Sequence, residues 1–281
     1  MCDLNFKLYA NDFSDGEMKR LFLRMRLVDT HSHLYLPEFS EDRGDMLNRA
    51  FEAGVERIYL PDIHQATSAD LRKLATDWPE RCFAMTGLHP CYVKPETYRE
   101  ELAHVEFSAA SGGFCAIGEI GIDLYWDTST RTIQEEAFLH QVQLAQNLHL
   151  PVAIHSREAT DVILDLLEAH ADKPVSGILH CFTGSIEQAH RAIRLGLHLG
   201  IGGVLTYKNS GLDQVVSHIR PEHIVLETDA PYLAPVPFRG KRNESAYIIQ
   251  IANKLAEVWG KSPEEVGEIT TQNALRVFQH E

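Results

Sequence analysis

Eight short apolar runs, separated by longer segments of helical period, restrict this chain to a small set of folds. The runs are Arg26–Leu34, Arg57–Ile63, Cys82–His89, Phe114–Asp123, Pro151–Ser156, Ser176–Phe182, Leu197–Leu205 and Ile224–Asp229. Most remain apolar until their last residues, as parallel strands buried on both faces do. Between them, Ile133, Ala137, Leu144 and Leu148 fall within one arc at 100° per residue. Ser185 with Gln188 has the spacing of a capping box, and Gly196 stands where a helix C-cap belongs. Ser262, Pro263 and Glu265 supply an N-cap, a first-turn proline and a capping partner for a last helix. Strand and helix alternating eight times predict an α/β fold, a single (β/α)8 TIM barrel. A doubly wound open sheet shares this order of elements, but neither GxGxxG nor a P-loop accompanies it.

The length of 281 residues suits one such barrel, which typically takes about 250. Residues 1–24 contain no signal-peptide h-region, and Met25 stands immediately before the first run. They are expected to be a dispensable extension, with 25–281 forming the barrel. The alternative is a helix packed on the barrel's outside through Met18, Leu21, Phe22 and Met25. No apolar stretch approaches the roughly 20 residues of a membrane span. Five cysteines without a CxxC pair point to reduced thiols and a cytoplasmic protein. The net charge of −14 argues against long nonspecific duplex binding through the overall field.

The polar residues that interrupt the runs do so at a consistent place. His31 and His33 lie near the end of the first, Glu119 near the end of the fourth and His155 near the end of the fifth. His180 is near the end of the sixth, and Asp229 ends the eighth. A His-x-His pair alone is weak, being expected by chance about 0.8 times in a chain of this composition. Six potential ligands from five runs are a stronger signal, because all strand C-termini of a barrel surround one mouth. Within a strand, His31 and His33 would also share a face. A satisfied polar layer capping the core is the plainer reading, but it leaves several ionisable groups in a low-dielectric mouth without a cation.

Four histidines and two carboxylates exceed the set for one tetrahedral ion and suit two divalent ions sharing a bridging carboxylate. Glu119, midway round the ring, is the expected bridge, and Asp229 the expected group to orient or deprotonate an attacking water. Mg, Mn and Zn are the candidate metals, with imidazole-rich ligation favouring transition ions over Mg. Around the same mouth, His89, Arg157, Lys208, Arg239, Lys241 and Arg242 are candidate substrate contacts that would form a basic rim. For Arg242 and its neighbours the alternative is a charge cluster in solvent, or a loop tied down by Glu244. Tyr125 and Trp126 either offer π-faces to a base or pack on their own loop.

The stretches DTHSHL (29–34), GLHP (87–90), GEIGID (118–123), IHSRE (154–158), HCFTGS (180–185), ETDAPYL (227–233) and RGKRNE (239–244) occur in one order. In that order they resemble the TatD family of metal-dependent deoxyribonucleases, within the amidohydrolase-like barrels. The resemblance covers essentially everything from residue 26 onward. It implies that His31, His33, Glu119 and Asp229 hold one ion, and that Glu119, His155 and His180 hold the second. It also implies phosphodiester hydrolysis on DNA, often from a 3′ end, with a single strand or an end as the expected partner. Three positions depart from the family pattern: Cys91 where histidine is common, Glu158 where aspartate is common, and Ser245 where proline is expected. A hydrolase of amides, lactones or aminoacyl-tRNA esters is the alternative on the same barrel. The oligomeric state is not legible in the sequence.

Overall fold

The computed structural model describes residues 25–170 and 175–279; the expected extension, residues 1–24, lies outside them. Eight parallel strands appear in the predicted order: β1 (Leu27–Asp29), β2 (Val55–Leu60), β3 (Cys82–Ala84), β4 (Ile117–Asp123), β5 (Val152–Arg157), β6 (Gly177–Leu179), β7 (Leu197–Ile201) and β8 (Ile224–Leu226). They alternate with helices α1 (Arg43–Glu52), α2 (Ser68–Asp77), α3 (Tyr98–Ser111), α4 (Arg131–Leu148), α5 (Thr160–His170), α6 (Ile186–Arg194), α7 (Leu212–Ser217) and α8 (Ile248–Trp259). A further helix, α9 (Pro263–Val277), follows. Both predicted capping boxes form, at Ser185 with Gln188 and at Ser262 with Glu265.

The strand ladders fall into two groups, β1 to β3 and β4 to β8. Single hydrogen bonds join the groups into the barrel. At one seam Thr86 N–H donates to Ala116 O (3.2 Å) and Gly118 N–H to Thr86 O (2.9 Å). At the other, Thr30 N–H donates to Leu226 O (3.1 Å) and Asp229 N–H to His31 O (2.9 Å).

Side chains alternate across the wall as the pleat requires. Leu27, Ile58, Leu60, Val152, Ile154, Leu199 and Leu226 belong to the core that includes the buried helix faces. Val28, Tyr59, Met85, Ala153, Ile178 and Val225 form a separate inner cluster. The end of α9 joins that inner cluster through Ala274, Val277 and Phe278, and Phe278 stacks on Tyr59 with ring centroids 3.7 Å apart. Full burial of such a side chain contributes about 1.5–3 kcal/mol.

Several strands are shorter than their apolar runs. β1 stops at Asp29, so His31 and His33 are not strand residues, and β6 and β8 stop before His180 and Asp229. The chain beyond β1 keeps hydrogen bonds to its neighbours, with Ser32 N–H on Tyr59 O (3.1 Å) and His33 N–H on Ala230 O (2.7 Å). The buried face of α4 also differs from the apolar arc. Leu148 is 38% exposed, whereas Gln134 and Gln141 are buried. Gln134 Oε1 accepts Asp123 N–H (2.9 Å) and Gln141 Oε1 accepts Leu88 N–H (2.7 Å). These two amides tie the end of β4 and the loop after β3 to the helix layer, which is why polar residues occupy an inward face.

Candidate metal centre

Glu119 is 2% exposed and stands at the middle of the mouth. The register of β4 against β5 shifts between Ile117 and Ile120, and such irregularities re-aim side chains. Glu119 N–H donates to Asp62 O (2.8 Å), which holds this part of β4 against the chain beyond β2. Gly87 makes the close approach possible: a Cβ there would meet the Glu119 backbone nitrogen at 2.8 Å.

The two carboxylate oxygens of Glu119 face different groups. Oε2 lies 3.2 Å from His31 Nε2 and 3.3 Å from His33 Nε2. Oε1 lies 3.0 Å from His155 Nδ1, 3.0 Å from His180 Nε2 and 3.3 Å from His89 Nε2. Asp229 Oδ1 approaches the first group, 3.6 Å from His33 Nε2 and 3.9 Å from His31 Nε2. All six expected ligands therefore converge, with His89 beside them. Three sets have donor atoms within 4.8 Å of one another: His31, His33 and Asp229; His31, Glu119 and His180; His89, Glu119 and His155.

The outer partners of these imidazoles determine which ring nitrogen keeps a lone pair. Tyr35 OH gives its single proton to Pro61 O (2.7 Å), so at 3.1 Å it accepts from His33 Nδ1. His33 Nε2 is then the nitrogen free to accept at the centre. His155 places Nε2 3.0 Å from Asp123 Oδ2, which leaves Nδ1 toward Glu119. His180 places Nδ1 3.6 Å from Glu227 Oε1 and turns Nε2 inward. Gly200 makes room for that carboxylate, since a Cβ there would meet Glu227 Oε2 at 2.1 Å. His89 is the opposite case. Its Nδ1 accepts Cys91 N–H (3.1 Å), so the ring proton sits on Nε2 and His89 is a donor at the centre.

The charges complement a cation. Burial pushes the Glu119 carboxyl up, but His89, His31, His180 and His155 outweigh it and hold it well below the ordinary carboxylate range. Burial opposes charge on His33, yet Asp229 and Glu119 raise its pKa to about 9. His180 is likewise raised against burial by Glu119 and Glu227. In the protein alone, imidazolium protons thus balance buried carboxylates, and divalent cations can take over that balance. The donor set, imidazole nitrogen with carboxylate oxygen, fits Zn, Mn and similar ions.

Asp123, Glu227 and Tyr35 were not among the residues singled out from the sequence. Asp123 and Glu227 carried a usable signal: each stands an even number of residues from a ligand, at 119 and 229. Nothing local marked Tyr35. Strand alternation beside His180 would aim Cys181 at the helices. It lies beyond β6 at φ 47°, where strand alternation has ended, and its N–H donates to Glu227 Oε1 (2.6 Å). Burial, with the charges of Asp229 and Glu227, pushes its thiol pKa well up.

The outer candidates divide. Arg157 is turned onto Tyr125, with its guanidinium carbon 3.7 Å from the ring centroid. Lys208, Arg239 and Lys241 are exposed, with Arg239 over Tyr207 at 4.4 Å. Arg242 is engaged within the protein: both of its terminal nitrogens lie 2.7 Å from Asp42 oxygens, and one also donates to Glu38 O. Glu244 is paired with Arg49 (2.7 Å). Of the three departures, Ser245 donates through Oγ to Asp29 Oδ2 (2.6 Å), and Cys91 Sγ lies 3.7 Å from Asp123 Oδ2. Glu158 is exposed.

Known proteins resemble this chain in sequence and fold. Residues 28–279 match the family described as TatD related DNase. The chain is 37% identical to the uncharacterized metal-dependent hydrolase YabD of Bacillus subtilis, over 90% of this chain and 99% of that protein. It is 34% identical to the 3'-5' ssDNA/RNA exonuclease TatD of Yersinia pseudotuberculosis, over 90% and 99% respectively. The crystal structure of the TatD homologue YjjV from Escherichia coli superposes with a TM-score of 0.84 at 30% identity, covering 92% of this chain and 99% of that one.

Proposed function

The chain belongs to the TatD-related DNase family of metal-dependent hydrolases, and on that premise we propose that it hydrolyses phosphodiester bonds of DNA from a single-stranded 3′ end. The observation that carries this reading is the division of Glu119, one oxygen toward His31 and His33 and the other toward His155 and His180. A carboxylate so placed suits two divalent ions, Mg, Mn or Zn. His31, His33, Glu119 and Asp229 would hold one, and Glu119, His155 and His180 the other. When bound, the pair supplies Lewis-acid charge and a nucleophilic water.

The remaining chemistry belongs to the chain. Asp229 orients the attacking water and accepts its proton. The water oxygen bonds to phosphorus, the P–O3′ bond breaks, and the departing O3′ takes up a proton from solvent. His89 Nε2–H donates to a phosphate oxygen, at the position where it now faces Glu119. Arg157, Lys208, Arg239 and Lys241 balance the polyanion locally, which offsets the net charge of −14. Asp123 and Tyr35 hold the His155 and His33 imidazoles in their tautomers, and the Glu227 carboxylate faces His180 Nδ1. The direction of cleavage follows the name of the Yersinia relative and not a feature of the mouth.

The test is hydrolysis of 3′-labelled and 5′-labelled single-stranded oligonucleotides with each metal, beside an amide, lactone and aminoacyl-ester panel. Metal-dependent shortening from the 3′ end is expected. Turnover confined to the panel would replace the nuclease reading with that of an amide or ester hydrolase.

A further inference from the structure

The large exposed hydrophobic side chains include Tyr125 and Trp126, 50% and 68% exposed, in the loop that joins β4 to α4. Leaving aromatic rings of this size in water forgoes the stabilisation of burying them. The loop is nonetheless held firmly. Asp123 Oδ1 accepts the N–H groups of Tyr125 (3.0 Å) and Trp126 (3.2 Å), and Leu124 N–H donates to Arg157 O (3.0 Å). The rings meet edge to face, 4.9 Å between centroids and 86° between planes. The Arg157 guanidinium covers Tyr125 at 3.7 Å and stands 5.2 Å from Trp126. Tyr125 is thus backed by a cation, while Trp126 keeps most of its surface in solvent.

This shelf is coupled to the metal centre by one carboxylate. The oxygen of Asp123 that does not hold the aromatic loop lies 3.0 Å from His155 Nε2. Arg157 follows His155 by two residues on β5, on the same strand face and about 6.5 Å along it. A group on the shelf is therefore within about one nucleotide of a phosphate at the centre. Aromatic faces stack any base, and a guanidinium adds cation–π attraction and a phosphate contact.

We propose that Tyr125, Trp126 and Arg157 form the base-stacking subsite for the nucleotide next to the scissile phosphate, with Asp123 setting its distance from the centre. The subsite rests on the phosphodiesterase reading. It selects an unpaired base, because a base within a duplex has no free face to offer. It reads no sequence, since stacking is tolerant of base identity.

A chemical double-mutant cycle tests it, with kcat and KM measured on a single-stranded oligonucleotide and on the same oligonucleotide made abasic at its two 3′-terminal positions. In the wild type the abasic substrate should show a KM about ten-fold higher, with kcat little changed. In Tyr125→Ala/Trp126→Ala the two substrates should have equal KM, and Trp126→Phe should restore most of the difference. An equal loss on both substrates, or no base effect in the wild type, would overturn the subsite. Phe107→Ala, an exposed ring on α3, controls for nonspecific surface effects and should behave as wild type.

A second readout does not depend on turnover. Of Trp78, Trp126 and Trp259, Trp126 is the one exposed by 68%. Single-stranded oligonucleotide should quench the intrinsic fluorescence, and Trp126→Phe should abolish the change. Quenching without hydrolysis would sink the phosphodiesterase reading and leave a base-binding shelf. Hydrolysis without quenching or base effect would sink the subsite and leave the reading intact.

Discussion

Asp123 Oδ2 lies 3.0 Å from His155 Nε2 and so commits that imidazole to present Nδ1 at the metal centre. Burial raises the Asp123 pKa, but the bonds from His155, Trp126 and Tyr125 prevail and bring it to about 2. It is an acceptor at every working pH. Asp123→Asn keeps the shape but replaces one accepting oxygen by a donor. One of its two jobs, holding His155 or the aromatic loop, must fail. Metal affinity should drop about 10–100-fold, read by titration calorimetry against Mn or Zn. Unchanged affinity would mean that His155 needs no outer partner.

Glu119→Ala removes the group shared by both halves of the ligand set. Hydrolysis should vanish, and the metal content after dialysis should fall, while circular dichroism stays that of the wild type. The fold survives because the freed imidazoles can shed their protons, leaving no unpaired buried charge. Chelation of the wild type should produce the same loss, and restoring the ion should reverse it. Turnover persisting in the chelated protein would remove the two-ion mechanism.

Arg239 and Lys241 should behave differently from Arg242, although the three lie within four residues. Replacing Arg239 and Lys241 with alanine should raise KM for an oligonucleotide. The salt dependence of binding should flatten by up to about one unit of slope per lost phosphate contact. A small aryl phosphodiester should be nearly unaffected. Arg242→Ala should instead loosen the loop held by Asp42 and Glu38, with equal changes on both substrates. If all three variants alter only the oligonucleotide, Arg242 leaves Asp42 on binding.

His198, on β7, is a pH-sensitive element of the barrel's stability. Burial, with His223 and Arg276 nearby, lowers its pKa from 6.5 to about 4. Between these values the unfolded chain takes up a proton that the folded one refuses. Its contribution is complete above about pH 6.5 and is lost as the pH falls toward 4. The urea midpoint of the wild type should therefore drop across this window by more than that of His198→Asn. Parallel curves for the two proteins would assign the acid sensitivity elsewhere.

Ser245→Ala should destabilise the protein by about 1–3 kcal/mol, the usual cost of removing a donor from a buried carboxylate. Ser245 Oγ is 2.6 Å from Asp29 Oδ2, and Asp29 also accepts from Thr228 N–H (2.9 Å) and Oγ1 (2.6 Å). Asp29 therefore links the end of β1 to the segment bearing Asp229. Urea denaturation measures the loss, and a midpoint within error of wild type would show that water replaces the hydroxyl.

The convergence of His31, His33, Glu119, His155, His180 and Asp229 on one mouth was legible in the sequence because each interrupts an apolar run near its C-terminal end. A barrel brings those ends together whatever the details of its loops. Strand order and both capping boxes were legible for the same reason: they depend on spacing within one short segment. The ends of the strands were not, because an apolar residue beyond a ladder looks like one within it. β1 stops at Asp29, and His31 and His33 still meet at Glu119 through bonds to Tyr59, Leu226 and Ala230.

Which outer partner each of these side chains meets was decided only by the closed structure. Tyr35 chooses the tautomer of His33 because Pro61 O takes its proton. Arg242 is withdrawn from the basic rim by Asp42, 200 residues away in sequence. Gln134 and Gln141 are buried because each bonds backbone at the mouth, Gln134 at the end of β4 and Gln141 in the loop after β3. In each case the deciding quantity is the direction of a side chain relative to a distant backbone group. Periodicity places a residue on a face, but a hydrogen bond forms only within a few tenths of an ångström and a narrow range of angles, and that precision arises when the barrel closes.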